Sequence, residues 1–142
     1  MQRKILGVFL TALLIFVLPA WGGTEEKPIT TIRELLRNPQ AYFFKEVTLK
    51  GDVIQVVSKE AAEKGKDEVT WLILLNDWST TGVAIIMGVT SKDGAKPVQG
   101  DRIRISCSVI SYTVYETVLK TTNEAIICLH IEEKHGPIVF LN

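Results

Sequence analysis

Histidine and cysteine are scarce in this chain, at two residues each, and that scarcity removes several kinds of chemistry. Two histidines alone make a weak metal site. Glycine never clusters into a phosphate-cradling loop, and neither histidine lies in a recognised nucleophile motif. A non-enzymatic protein without a cofactor is therefore expected. A charge surplus is missing too, since 16 basic residues meet 16 acidic ones. Nucleic-acid binders take most of their affinity from phosphate contacts and carry a basic stripe, so that partner is disfavoured.

Long apolar runs are confined to one place. Arg3 and Lys4 precede an uncharged run from Ile5 to Trp21, which is short against the roughly 20 residues of a membrane span. Pro19 and the small residues Ala20 and Gly22 suit the end of a cleavable signal. Export to the periplasm or the medium is expected, with residues 1–22 removed after Gly22. An uncleaved single-pass anchor is the alternative, and membrane contact is expected only through that segment. Cleavage takes away two bases and no acid, leaving a slightly acidic mature chain.

The remaining length suits one domain. Residues 23–28 read as a linker, 29–133 as the domain and 134–142 as a tail free to pack on the barrel. In "TTIRELLRNPQAYF", Thr31 and Glu34 have capping-box spacing, Ile32, Leu35 and Leu36 make an apolar stripe, and Asn38-Pro39 ends the helix. Periodicity then changes to two. Val47, Leu49 and Val53 alternate with Thr48, Lys50 and Asp52, and Gly51 interrupts the strand where a bend or close backbone approach is expected. Ser58–Glu68 is charged and reads as a solvated loop or helical turn. "VTWLILLND" is a second strand, apolar on both faces, "VAIIMGV" a third, and "GDRIRISCSVI" a fourth. "AIICLHIEE" is the fifth, with Ala125, Ile127, Leu129 and Ile131 expected inward.

Five strands, a bent glycine-containing first strand, the "LND…TG" turn and the "GDRIRI" entry resemble the OB-fold. The helix ending in "NPQAYF" is similar to that of exported bacterial OB-fold proteins and of the OB domains grouped with tRNA-anticodon and helicase-type nucleic-acid binders. The resemblance implies an all-β, five-stranded Greek-key barrel with a short N-terminal helix, and it specifies no ligand.

An exported binding module for an envelope protein, peptide or small ligand is the expected function. Its contact region is expected at Trp71, Trp78, Tyr112 and Tyr115, though Trp71 also suits plain core packing. Those aromatics would equally serve the alternative, a single-stranded nucleic-acid domain, but no Lys or Arg occurs between Lys66 and Lys92 to accompany them. "WLILL" offers more apolar surface than one barrel interior can bury, so a helix, the tail, a partner or a second copy should cover it. His130 and His135, with "EEKHGP", superficially resemble the periplasmic haem chaperone of cytochrome c maturation. Val139 stands where that family has tyrosine, so a solvated His135 is expected instead. Cys107 falls on the inward face of its strand, whereas Cys128 shares the other parity with Ile126 and His130. A regular ladder holds these thiols apart and a bulge would join them, so a disulfide and two inert thiols both stay open.

Overall fold

A computed structural model describes residues 27–57, 62–63 and 67–142. The expected signal, its cleavage site and residues 23–26 of the linker lie outside them. Among the described residues no helix is long and apolar enough to cross a membrane.

The helix forms where the capping pattern places it. Helix α1 (Ile32–Arg37) starts at Thr31, whose hydroxyl accepts the Glu34 N–H at 3.1 Å. Two further N–H groups of its first turn are satisfied from a distant turn: Ile32 N–H donates to Asp77 Oδ2 at 2.8 Å and Arg33 N–H to Ser79 Oγ at 3.1 Å. Ile32 and Leu35 are completely buried, so α1 plugs one end of the strand barrel. Asn38 ends it, and Pro39–Tyr42 continues as one turn of 3₁₀ helix.

Strands β1 (Glu46–Val56), β3 (Glu68–Asn76), β4 (Val83–Ser91), β5 (Arg102–Glu116) and β6 (Thr122–Ile131) close into a five-stranded barrel in the order β1-β3-β4-β6-β5, with β5 returning to pair with β1. All neighbours are antiparallel except β4 and β6. The class is a closed, mostly-β barrel consistent with an OB-like fold. Closure depends on β1 serving two partners. Glu46–Asp52 pairs with β5 and Asp52–Val56 with β3, with a register shift between Val53 and Gln55. Gly51 sits beside this changeover. A Cβ there would lie 2.5 Å from the Asn76 carbonyl oxygen, so the expected close approach is what excludes a side chain.

Two sequence expectations are corrected. Strand β6 points Ile126, Cys128 and His130 into the barrel, all three completely buried, and leaves Ile127, Leu129 and Ile131 half-buried outside. Both of its parities are apolar enough to be core, and pairing decided between them: Ile86 of β4 and Val109 of β5, both inward, sit opposite Cys128. The charged loop after β1 contains a two-residue strand, β2 (Ala62–Glu63), paired with Thr70 and Val69 rather than a helical turn. The tail packs on the barrel, as the sequence allows. Helix α2 (Glu132–His135) comes directly after β6, and β7 (Val139–Phe140) pairs with Arg104 and Ile103 of β5.

Candidate functional site

Strands β3, β4 and β6 lie side by side in matched register, so their residues form transverse rungs that alternate between the two faces. The inner rungs are Trp71–Gly88–His130, Ile73–Ile86–Cys128 and Leu75–Ala84–Ile126. The outer rungs are Thr70–Val89–Ile131, Leu72–Met87–Leu129 and Leu74–Ile85–Ile127. Both sets are overwhelmingly apolar. Only the inner one is fully enclosed.

The first inner rung explains its own composition. A Cβ on Gly88 would run into the Trp71 indole, so the glycine makes room for that ring to cross toward His130, 5.9 Å away between centroids. Trp71 Nε1–H donates to Thr90 Oγ1 at 3.3 Å, and the residue is only 5 % exposed. His130 stacks in turn on His135, again at 5.9 Å. Since a carbonyl can only accept, the 2.6 Å contact with the Ser106 carbonyl makes His130 Nδ1 the protonated nitrogen. Nε2 then carries a bare lone pair, buried without a hydrogen-bond partner. His135 has the opposite tautomer: Nδ1 accepts the Ile131 N–H at 2.9 Å, leaving Nε2–H to donate to Ser108 Oγ at 2.9 Å. His135 is thus buried and bonded, not solvated. Burial holds both imidazoles below the usual histidine pKa. Among the described residues no group of three or more His, Cys, Asp and Glu is arranged to hold a metal ion.

The cysteines meet inside the barrel. Cys128 pairs with Val109, two residues along β5 from Cys107 in a regular stretch of the ladder, so Cys107 and Cys128 are diagonal neighbours on the inner face of β5 and β6. Both are free thiols, completely buried. A hydrogen bond with Cys128, reinforced by burial, pushes the Cys107 thiol well above its ordinary pKa.

The other aromatics expected to bind are dispersed. Trp78, 70 % exposed, sits on the β3–β4 turn in a left-handed conformation with φ 63°. Its N–H donates to Asn76 Oδ1 at 2.6 Å and its indole Nε1–H to Asp52 Oδ2 at 2.7 Å. Arg102 Nε also donates to Asp52, at 3.0 Å, and these bonds hold the Asp52 carboxyl below its usual pKa, the arginine more strongly. Tyr112 lies on β5 opposite Ile126, partly buried against the core, with its hydroxyl donating to Glu124 Oε1 at 3.0 Å. Tyr115 is farther along the β5–β6 hairpin and accepts from Asn123 Nδ2 at 3.1 Å. Of the expected four, only Trp71 is among the residues that line the groove on the outer face.

That outer face holds a groove of about 370 Å³ walled by Trp71, Leu72, Met87 and Leu129. Met87 is 45 % exposed, and the rungs on either side carry no charged side chain. Sequence reasoning did not name Leu72 or Met87 as site residues and expected Leu129 to point inward. The doubly apolar "WLILL" announced the surplus on β3 at Leu72, but gave no signal for Met87 or Leu129. No protein-family model, curated protein or solved structure matches the chain.

Proposed function

We propose that this protein is a non-enzymatic binding module that docks an apolar protein surface on the outer face of β3, β4 and β6. The observation that carries the reading is the rung Leu72–Met87–Leu129, apolar, uncharged and open to solvent where a barrel of this size has already filled its interior. A nucleic acid would need cations beside its stacking platforms, and the rungs of this face carry none among the described residues. A protein partner needs apolar contact with few charges at its centre, which this face supplies.

A photo-crosslinking amino acid placed at Met87 in the producing cells tests the reading. Discrete protein adducts are expected from position 87 and not from position 93, an exposed loop site. Absence of any adduct at position 87 would overturn it. Titration of labelled single-stranded DNA and RNA at low salt should show no saturable binding, and binding there would favour the nucleic-acid alternative instead.

A further inference from the structure

We propose that two copies of this chain pair edge to edge through the β5–β6 hairpin, the Ser111–Glu116 stretch of one β5 lying antiparallel to the same stretch of the other. This inference does not depend on the outer β3–β4–β6 face. A closed barrel normally leaves no strand edge open, but here β5 outruns its neighbour. On one side it pairs with β1 only from Arg102 to Ser108. Phe44 N–H then donates to the Val109 carbonyl at 2.7 Å and Val109 N–H to the Lys45 carbonyl at 3.0 Å, which ends the contact. Phe44, at φ 65°, joins β1 to the 3₁₀ turn Pro39–Tyr42, while β5 runs on to Glu116 with β6 as its strand partner on the other side. In an antiparallel pair every second residue directs its N–H and C=O away from the partner, so this stretch presents a backbone row that another strand can pair. Exposed edges are often guarded by Lys or Pro. "SYTVYE" has neither, and its β-branched and aromatic residues suit a strand.

The two ends of the open edge identify what pairs with it. At the far end is the hairpin corner, where Val118 and Leu119 are 101 % and 85 % exposed. The corner is firmly built, since Thr117 N–H donates to the Thr121 carbonyl and Lys120 N–H to the Thr117 carbonyl, both at 2.8 Å. At the near end are Phe44, 79 % exposed, and a groove of about 520 Å³ whose walls include Leu36, Pro39, Phe43, Ser111 and Tyr112. One strand thus carries a projecting apolar corner at one end and a largely apolar recess at the other. Val114, itself 48 % exposed, is midway between Leu119 of the corner and Val109, the residue that holds Phe44. A two-fold axis through Val114 sets that residue against itself, Tyr112 against Glu116 and Thr113 against Tyr115. The same register brings each copy's corner to the other copy's Phe44 and groove, as an isologous contact requires. A foreign strand would pair the backbone and leave the corner bare, whereas a second copy fills both recesses and covers both corners.

Val114→Cys tests the register, because a residue on the axis faces its own counterpart within disulfide reach. The native cysteines are buried and stay out of the reaction. Oxidation of the purified protein with diamide should link two copies at position 114, whereas Asp93→Cys, on the loop between β4 and β5, should stay largely unlinked. Sedimentation equilibrium should show a reversible dimer of the unmodified protein. Leu119→Asp should weaken that dimer about tenfold, because its carboxylate would lose water against the second copy's Phe44. Unchanged thermal melting of the variants establishes that the fold is intact. A monomer at every concentration, or linkage no greater at position 114 than at position 93, overturns the proposal and would leave the edge to a strand of another protein. A dimer that Leu119→Asp does not weaken overturns it as well, since the copies would then meet through another surface.

Discussion

The two faces of the β3–β4–β6 sheet are nearly matched in hydrophobicity and opposite in what they do. Ile73, Ile86 and Cys128 on the inner side are completely buried, while Met87, on the neighbouring outer rung, is 45 % exposed. Composition alone does not make a core; closure does. The inner rungs have a facing wall of β1 and β5 and the plug of α1, and the outer rungs have no such wall among the described residues. Substitutions should therefore separate the faces by energy. Ile73→Ala leaves a cavity in a filled interior and should cost about 3–4 kcal/mol. Gly88→Val should cost about 3 kcal/mol, because the new side chain must displace the Trp71 ring. Urea unfolding monitored by far-UV circular dichroism would measure both, and a loss below about 1 kcal/mol for either would mean that the inner rungs are not the core.

The inner face also holds the chain's most unusual buried groups, and pH should expose them. Neutral His130 fits its site: one nitrogen serves the Ser106 carbonyl, and the other would have to carry a proton with no acceptor. Burial dominates its lowered pKa; the Ser106 carbonyl and then Glu132 favour its charge, and His135 opposes it. With the folded pKa depressed, the unfolded chain takes up protons first as pH falls below the ordinary histidine value of about 6.5. Stability should be level above that value and decline beneath it. His135 contributes in the same direction, its pKa also lowered by burial. Melting temperature measured from pH 8 to pH 5 checks this, and His130→Phe should flatten the slope. An equal slope in that variant would assign the effect elsewhere.

Much of the fold was readable in the chain, for reasons that also explain what was not. Thr31, Glu34 and Asn38-Pro39 act within one turn of backbone, so the helix could be bounded without knowing its neighbours. Val47, Leu49 and Val53 alternate with polar residues, so the inner face of β1 was legible. Strand β6 offers no such contrast. Its inward histidine looks polar in sequence, while its outward Ile127, Leu129 and Ile131 look like core, and only pairing with β4 and β5 resolves the parity. The same inversion hid the meeting of Cys107 and Cys128, which follows from the corrected parity of β6 in a regular stretch of the ladder. Trp78 and Tyr115 were named for their chemistry, yet the β3–β4 turn and the β5–β6 hairpin carry them to separate places.

The thiols give a third separation of inside from outside. Completely buried and with the Cys107 pKa raised, they should resist a water-soluble disulfide reagent in the native state and react together once urea unfolds the chain. Two equivalents released only across the unfolding transition is the expected count. Fast native reaction of either would place it outside the closed interior, and no reaction after unfolding would show that the pair had been oxidised to a disulfide.

The smallest effect on stability belongs to the outer face and is the most informative about function. Met87→Asp changes a side chain that is 45 % exposed, so unfolding should change by less than about 1 kcal/mol, and the circular dichroism should be unchanged. Binding should respond quite differently, because a carboxylate in the middle of the Leu72–Met87–Leu129 rung would lose its water when an apolar partner covers it. Crosslinking from a photoreactive residue at Leu129, one strand away, should fall at least tenfold when Met87→Asp is added. A control at the same distance from the photoreactive site but inside the barrel would confound loss of fold with loss of contact, whereas an outer substitution keeps the two apart. Adducts that persist unchanged in the Met87→Asp protein would mean that this rung is exposed surplus, and that the barrel meets its partner elsewhere.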